Sequence, residues 1–300
     1  GALSSIQGLP ARFVLDTPDT EASRRAALPD RLAATENPLT WRSVVNRVWS
    51  YHFGRGICDT PNDLGRMGGR PSHPELLDWL AVWFRDDANG SLKQLHRQIL
   101  LSAAWQQASR VESPRALAVD AENRLLWRMP ARPLDAESYR DAVLQISGRL
   151  DSTVGGPGAE HFVLTPREGE QTPILDYESY DWGRDDAARR SIYRVVWRSI
   201  SDPFMESLDF PDLGILAPQR GVSISPIQAL TLYNNPFVLH HCQVLAERLE
   251  LNHASLTEQV TRGFRTVLLR DPTAAESALL SDYASEHGLA ATCRVLLNSS

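Results

Sequence analysis

A Gly-rich loop between two apolar-periodic segments carries most of the residues with chemical potential. Asp63 could supply a carboxylate, His52 or His73 could serve as base or ligand, and Arg66 and Arg70 could clamp an anion or a sugar. Asn46 and Arg47 precede the loop beside Val45 and Val48, near the edge of a buried face, where a polar side chain must find a partner. Two readings stay open. In one, residues 52–75 form a ligand site with His52, Asp63 and His73 as the catalytic candidates. In the other, Asn46 and Arg47 hold the loop by bonding its carbonyls, and His73 merely helps to cap the next helix. The glycines at 54, 56, 65, 68 and 69 favour the structural reading, as positions that need positive φ. Either way, Arg47 is expected to contact residues 59–73 through its guanidinium.

A second candidate is the stretch DYESYDWGRDD, where Tyr177, Tyr180 and Trp182 alternate with carboxylates. Aromatic faces beside acids can stack on a sugar and accept its hydroxyl protons, or the acids can hold calcium. The same stretch also reads as an exposed loop tip or an interface. Metal chemistry has little support. His240 and His241 are adjacent, so on a helix they point about 100° apart, and His73-Pro74-Glu75 lacks the helical zinc spacing. No metal site is therefore assigned. Cys58, Cys242 and Cys293 are too widely spaced for a zinc motif or a disulfide framework. Cys242 and Cys293 lie in apolar helical patterns. Nucleophile-elbow and phosphate-loop motifs are absent.

The 300 residues carry 31 Lys and Arg against 37 Asp and Glu, and Lys93 is the sole lysine. Without clustered cations there is no nucleic-acid footprint. No apolar run approaches the ~20 residues that span a bilayer. No signal peptide is visible at Gly1, where GALSSIQGLP reads like mid-protein sequence.

These groups must be positioned by helices. Asn37-Pro38 opens one that Gly54 ends. Ser72 with Glu75, Ser91 with Gln94, Ser225 with Gln228, Ser255 with Glu258 and Thr273 with Glu276 are capping-box pairs before apolar-periodic runs. Residues 120–129 read as another helix, and Asp135 caps one with Tyr139, Val143, Ile146 and Leu150 on a face. SIYRVVWRSI, at residues 191–200, is the best strand, with residues 162–164 or ARFVLDTP (residues 11–18) as partner. The expected fold is mainly α, with a small β element and a long irregular middle segment. Its parts are an N-terminal arm (1–36), a helical lobe (37–150), an irregular insert with the β element (151–224) and a second helical lobe (225–300), packed as one unit.

The ordered segments NPLTWRSVVNRVWSYHFGRG, DLGRMGGRPSHPELLDWLA, SLKQLHRQILLSAAWQQAS, ENRLLWRMPARPLDAESYRDAVLQISGRLD, RRSIYR and FPDLGILAPQRGVSISPIQALTLYNNPFV cover nearly the whole chain. Together they resemble the planctomycete-specific C-terminal domain of unknown function. The resemblance implies an exported, multi-domain parent, commonly with an upstream cytochrome c domain. Haem is expected only on that upstream domain, since the Cys-x-x-Cys-His attachment pattern is absent here. Many members of that family carry a Cys a few residues before the Arg that precedes the Pro-Gln-Ala-Leu stretch. Here the segment DLGILAPQ has none. The expected function is a helical binding or docking module of an exported, cytochrome-linked protein, with upstream domains of the same chain as partners. The alternative is an enzyme of extracellular polysaccharide breakdown, oxidative in one version, with a carbohydrate in the 52–75 loop.

Overall fold

The computed structural model describes residues 9, 12, 15, 20–166, 173–198, 200–214 and 220–299. The protein is mainly helical, at 52% helix, with one small two-stranded antiparallel sheet among the described residues. It divides into two compact units, Gly1–Arg132 and Pro133–Ser300.

The first unit holds α1 (Glu21–Ala33), α2 (Pro38–Phe53), α3 (Pro74–Asp86), α4 (Leu92–Leu100) and α5 (Pro114–Val119). Asn37 caps α2 by accepting from Leu39 N, Pro38 takes the first turn, and Gly54 ends the helix at φ 78°. Val45, Val48, Trp49 and Phe53 of α2 share one core with Leu77, Leu80 and Phe84 of α3 and Leu95 and Ile99 of α4. Three expectations need correction. The segment 1–36 carries α1, while the strand expected at 11–18 lies outside the described residues except for positions 12 and 15. Ser72 does not cap α3, which starts at Pro74 with no side-chain cap. The Ser72 hydroxyl is committed to Ile57 O at 3.3 Å and His73 Nδ1 at 2.9 Å. Residues 120–129 form turns rather than a helix. The Asp120 carboxylate takes the amides of Arg124 and Leu125 at 2.9 and 2.7 Å, and its carbonyl takes Trp127 Nε1 at 2.9 Å. Local side-chain bonding of this kind competes with a helical ladder.

The second unit contains α6 (Ala136–Ser147), β1 (Val163–Thr165), β2 (Ile174–Asp176), α7 (Pro203–Ser207), α8 (Pro226–Asn234), α9 (Pro236–Asn252), α10 (Leu256–Leu268), α11 (Ala274–His287) and α12 (Leu289–Leu297). Helix α9 is central and packs on α6, α8, α10 and α12. Thus α6 belongs with the C-terminal helices, although the sequence grouped it with residues 37–150. Ser225/Gln228 and Thr273/Glu276 form reciprocal capping boxes. The sheet pairs Val163 with Asp176 and Thr165 with Ile174. Among the described residues of 191–200 there is no strand. They begin as a 3-10 turn and make a single bridge from Arg194 to Ala159. Ser191 N donates to Asp141 Oδ1 at 2.7 Å, so a side chain takes what a ladder would use. Part of DLGILAPQ, residues 215–219, lies outside the described residues.

Candidate functional site

The 54–73 loop hangs on Asn46. This fully buried amide donates to Cys58 O and accepts from Cys58 N, both at 2.8 Å. Gly56 is required beneath it, because a Cβ there would lie 2.7 Å from Asn46 Nδ2 and 2.5 Å from Cys58 O. Among the loop glycines only Gly54 has positive φ. Gly56 and Gly68 are explained by close approach instead, Gly68 lying hard against Asp63 O. Arg47 does reach the loop, donating to Asn62 Oδ1 at 2.7 Å, but it is exposed and binds one side chain. Of the two residues expected to anchor the loop, Asn46 bonds its backbone and Arg47 only a side chain. Asn46→Ala should lower unfolding free energy by about 2–3 kcal/mol, because it strands a buried N–H and C=O. Arg47→Ala should cost less than about 1 kcal/mol. Urea melts of the two variants test the ordering.

Each of the three catalytic candidates has a local partner. His52 Nε2 pairs with His96 Nδ1 at 2.8 Å, and its ring stands edge-on to Trp105 with centroids 5.2 Å apart. Burial, His96 and Arg132 hold its pKa below the usual histidine value. Asp63 folds onto its own turn, accepting from Gly65 N at 2.9 Å. Arg66 and Arg70 are exposed. His73 lines a cleft of about 310 Å³. Trp49, Phe53, Ile57 and Leu126 form its apolar wall, and Arg55, Arg124, Arg128, Glu122 and Ser72 join His73 as the polar part. Arg55 pairs loosely with Asp59 at 3.4 Å and Glu122 at 3.5 Å, and Arg124 lies 3.7 Å from Asp59. Sequence reasoning missed these arginines. Arg124 was hidden by the helix expected at 120–129, and Arg55 by the glycines on either side of it.

In the second unit the acidic-aromatic stretch is exposed at Glu178, Asp181, Arg184 and Asp185, as expected of a loop, but its rings turn inward. Tyr180 is 6% exposed, and its hydroxyl donates to Asp186 Oδ1 at 3.1 Å. Trp182 stands edge-on to Tyr180 and to Phe237, with centroids 4.9 and 5.1 Å apart, and Tyr177 packs on Phe162 at 5.6 Å. With Tyr180 in the core, this stretch presents no row of open rings. Burial pushes the Tyr180 phenol up to about 12.

Behind these rings lies a polar centre with no clear sequence signal. Arg140 is 1% exposed. It donates to Ala187 O at 2.6 Å, Arg189 O at 2.8 Å and Ser191 Oγ at 3.3 Å. Its guanidinium lies 5.3 Å from the Phe237 ring centroid. Burial, with Arg194 nearby, pushes its pKa down to about 10, so it stays charged at neutral pH. His161, 3.4 Å from Arg140 Nη2, is held down to about 3 by burial and then by Arg140 and Arg194. His241 contacts Ser147 Oγ at 3.1 Å and is likewise held to about 3 by burial, His240, Arg140 and Arg149. Its neighbour His240 stands edge-on, with centroids 5.0 Å apart at 83°. Among the described residues no three His, Cys, Asp or Glu side chains gather as a metal site, and no helix is long and apolar enough to cross a membrane.

These features define a mainly helical protein with a buried polar centre in its second unit and an open cleft beside His73 in its first. The family model described as PSD1, protein of unknown function (DUF1553), matches residues 24–284, and the chain belongs to that family. Comparison with curated proteins and with solved structures finds no match.

Proposed function

We propose that the chain is a non-catalytic helical binding module that docks on other domains of a larger protein. The observation that carries this reading is the set of partners that His52, Asp63 and His73 have already found. Each is engaged locally, and only His73 faces the cleft. Side chains already held in this way are poorly placed to share one reacting atom as base and carboxylate. The family resemblance extends the proposal to an exported, planctomycete-type parent with a cytochrome c domain upstream as the docking partner. His73 at the cleft favours the rival reading, a polysaccharide-degrading enzyme. Titration with zinc, calcium and neutral and acidic sugar oligomers tests the two, using the native chain and the double variant His52→Ala/His73→Ala. The module predicts lower stability in the variant, and no product from any oligomer with either protein. Turnover that the variant abolishes while remaining folded would favour the enzyme.

A further inference from the structure

We infer that the cleft of the first unit binds a ring-bearing carboxylate, with the ring against Trp49 and Phe53 and the carboxylate between Arg55 and Arg124. The inference rests on the reading of this chain as a binding module. Trp49 and Phe53 are stacked, with ring centroids 4.4 Å apart, and are 6% and 2% exposed, so the cleft wall is aromatic and fixed. The rim is different. The side chains of Arg55 and Arg124 are 47% and 43% exposed, and both lean on the single carboxylate of Asp59 at 3.4 and 3.7 Å. Each guanidinium carries five N–H donors. Contacts of that length leave most of them available to a better acceptor. Glu122, 3.5 Å from Arg55, has a side chain 72% exposed, so an incoming carboxylate can replace it at little cost. The rim is thus rich in donors, and a planar fork matches a carboxylate in two-point contact. Ser72 and His73 line the same cleft at the start of α3, whose first turn has no side-chain cap and whose N-terminal end favours negative charge.

Part of the lining has a fixed backbone shape. Asn123 and Leu126 both adopt left-handed backbone, at φ 54° and 55°, within the turns tied to Asp120. A leucine held there is costly, and such outliers gather where a surface must keep one form. A volume of about 310 Å³ suits a single six-membered ring with its substituents.

Calorimetric titration of the native chain with glucuronate and with benzoate, each against its uncharged counterpart glucose or benzyl alcohol, tests the inference. At least one acid should bind roughly tenfold or more tightly than its counterpart. Arg55→Met/Arg124→Met should lose that preference, Arg124→Gln should lose part of it, and Arg25→Met, on exposed α1, should retain it. Unchanged circular-dichroism melts would show that the variants fold. The inference is overturned if neither acid binds, if the neutral compounds bind equally well, if the double variant keeps the preference, or if inorganic phosphate binds more tightly than both acids. None of these failures touches the module reading, which falls only to turnover of an oligomer.

Discussion

Arg140→Ala is expected to destabilise the protein by about 3–5 kcal/mol, with a matching fall in the urea midpoint. The guanidinium satisfies the carbonyls of Ala187 and Arg189 and the hydroxyl of Ser191 from inside the core. Truncation strands these acceptors and leaves a void against Phe237. Lysine at this position keeps the charge but not the planar fork, so Arg140→Lys should recover only part of the loss. A shift below about 1 kcal/mol for the alanine variant would mean that the 187–191 turns are held by something else.

Acid should destabilise the protein by a similar amount. The pKa values of His161 and His241 lie at about 3 in the folded chain, far below the value near 6.5 for an unfolded histidine. Below pH 6.5 the unfolded chain therefore binds protons that the folded chain refuses. The stability associated with these rings is complete above pH 6.5 and is lost as pH falls toward 3. Each ring contributes up to roughly 1.4 kcal/mol per pH unit, so stability at pH 5 should lie about 4 kcal/mol below that at pH 7. His52 and His240, whose pKa values are also lowered, act in the same direction. Carboxylates titrate lower, which leaves the window from pH 6.5 to 5 to the histidines. Urea melts across that window check the slope. Replacing His161 and His241 by Gln should flatten it, and a slope unchanged by both replacements would contradict the account.

What could be read in advance followed backbone rules. Asn37, Ser91, Asp135, Ser225, Ser255 and Thr273 each cap the helix expected of them, because a cap depends on residues within one turn. The same rules failed at Asp120, where one carboxylate takes two amides and diverts a helical pattern into turns. They failed again at residues 191–200, where Asp141, 50 positions away, captures a strand donor. For α6, periodicity favoured a face of Tyr139, Val143, Ile146 and Leu150. The buried face is Ala136, Arg140, Val143, Leu144 and Ser147. An arginine inside a core is legible only once the carbonyls that receive it are in place. The loop at residues 54–73 was rightly marked as unusual, and Arg47 does touch it. Whether its histidines converge depended on rotations about α2 that no spacing rule reports.

The cysteines give each unit its own chemical clock. Cys58 sits in the first unit and Cys242 and Cys293 in the second, all three free and nearly sealed from solvent. Burial pushes the Cys242 and Cys293 thiols up to about 12, so at neutral pH they offer almost no thiolate to an alkylating reagent. Alkylation must wait for the surrounding helices to open. Mass-resolved labelling rates at Cys58 and at the other two would therefore time the breathing of each unit separately, in unmodified protein and without an added probe.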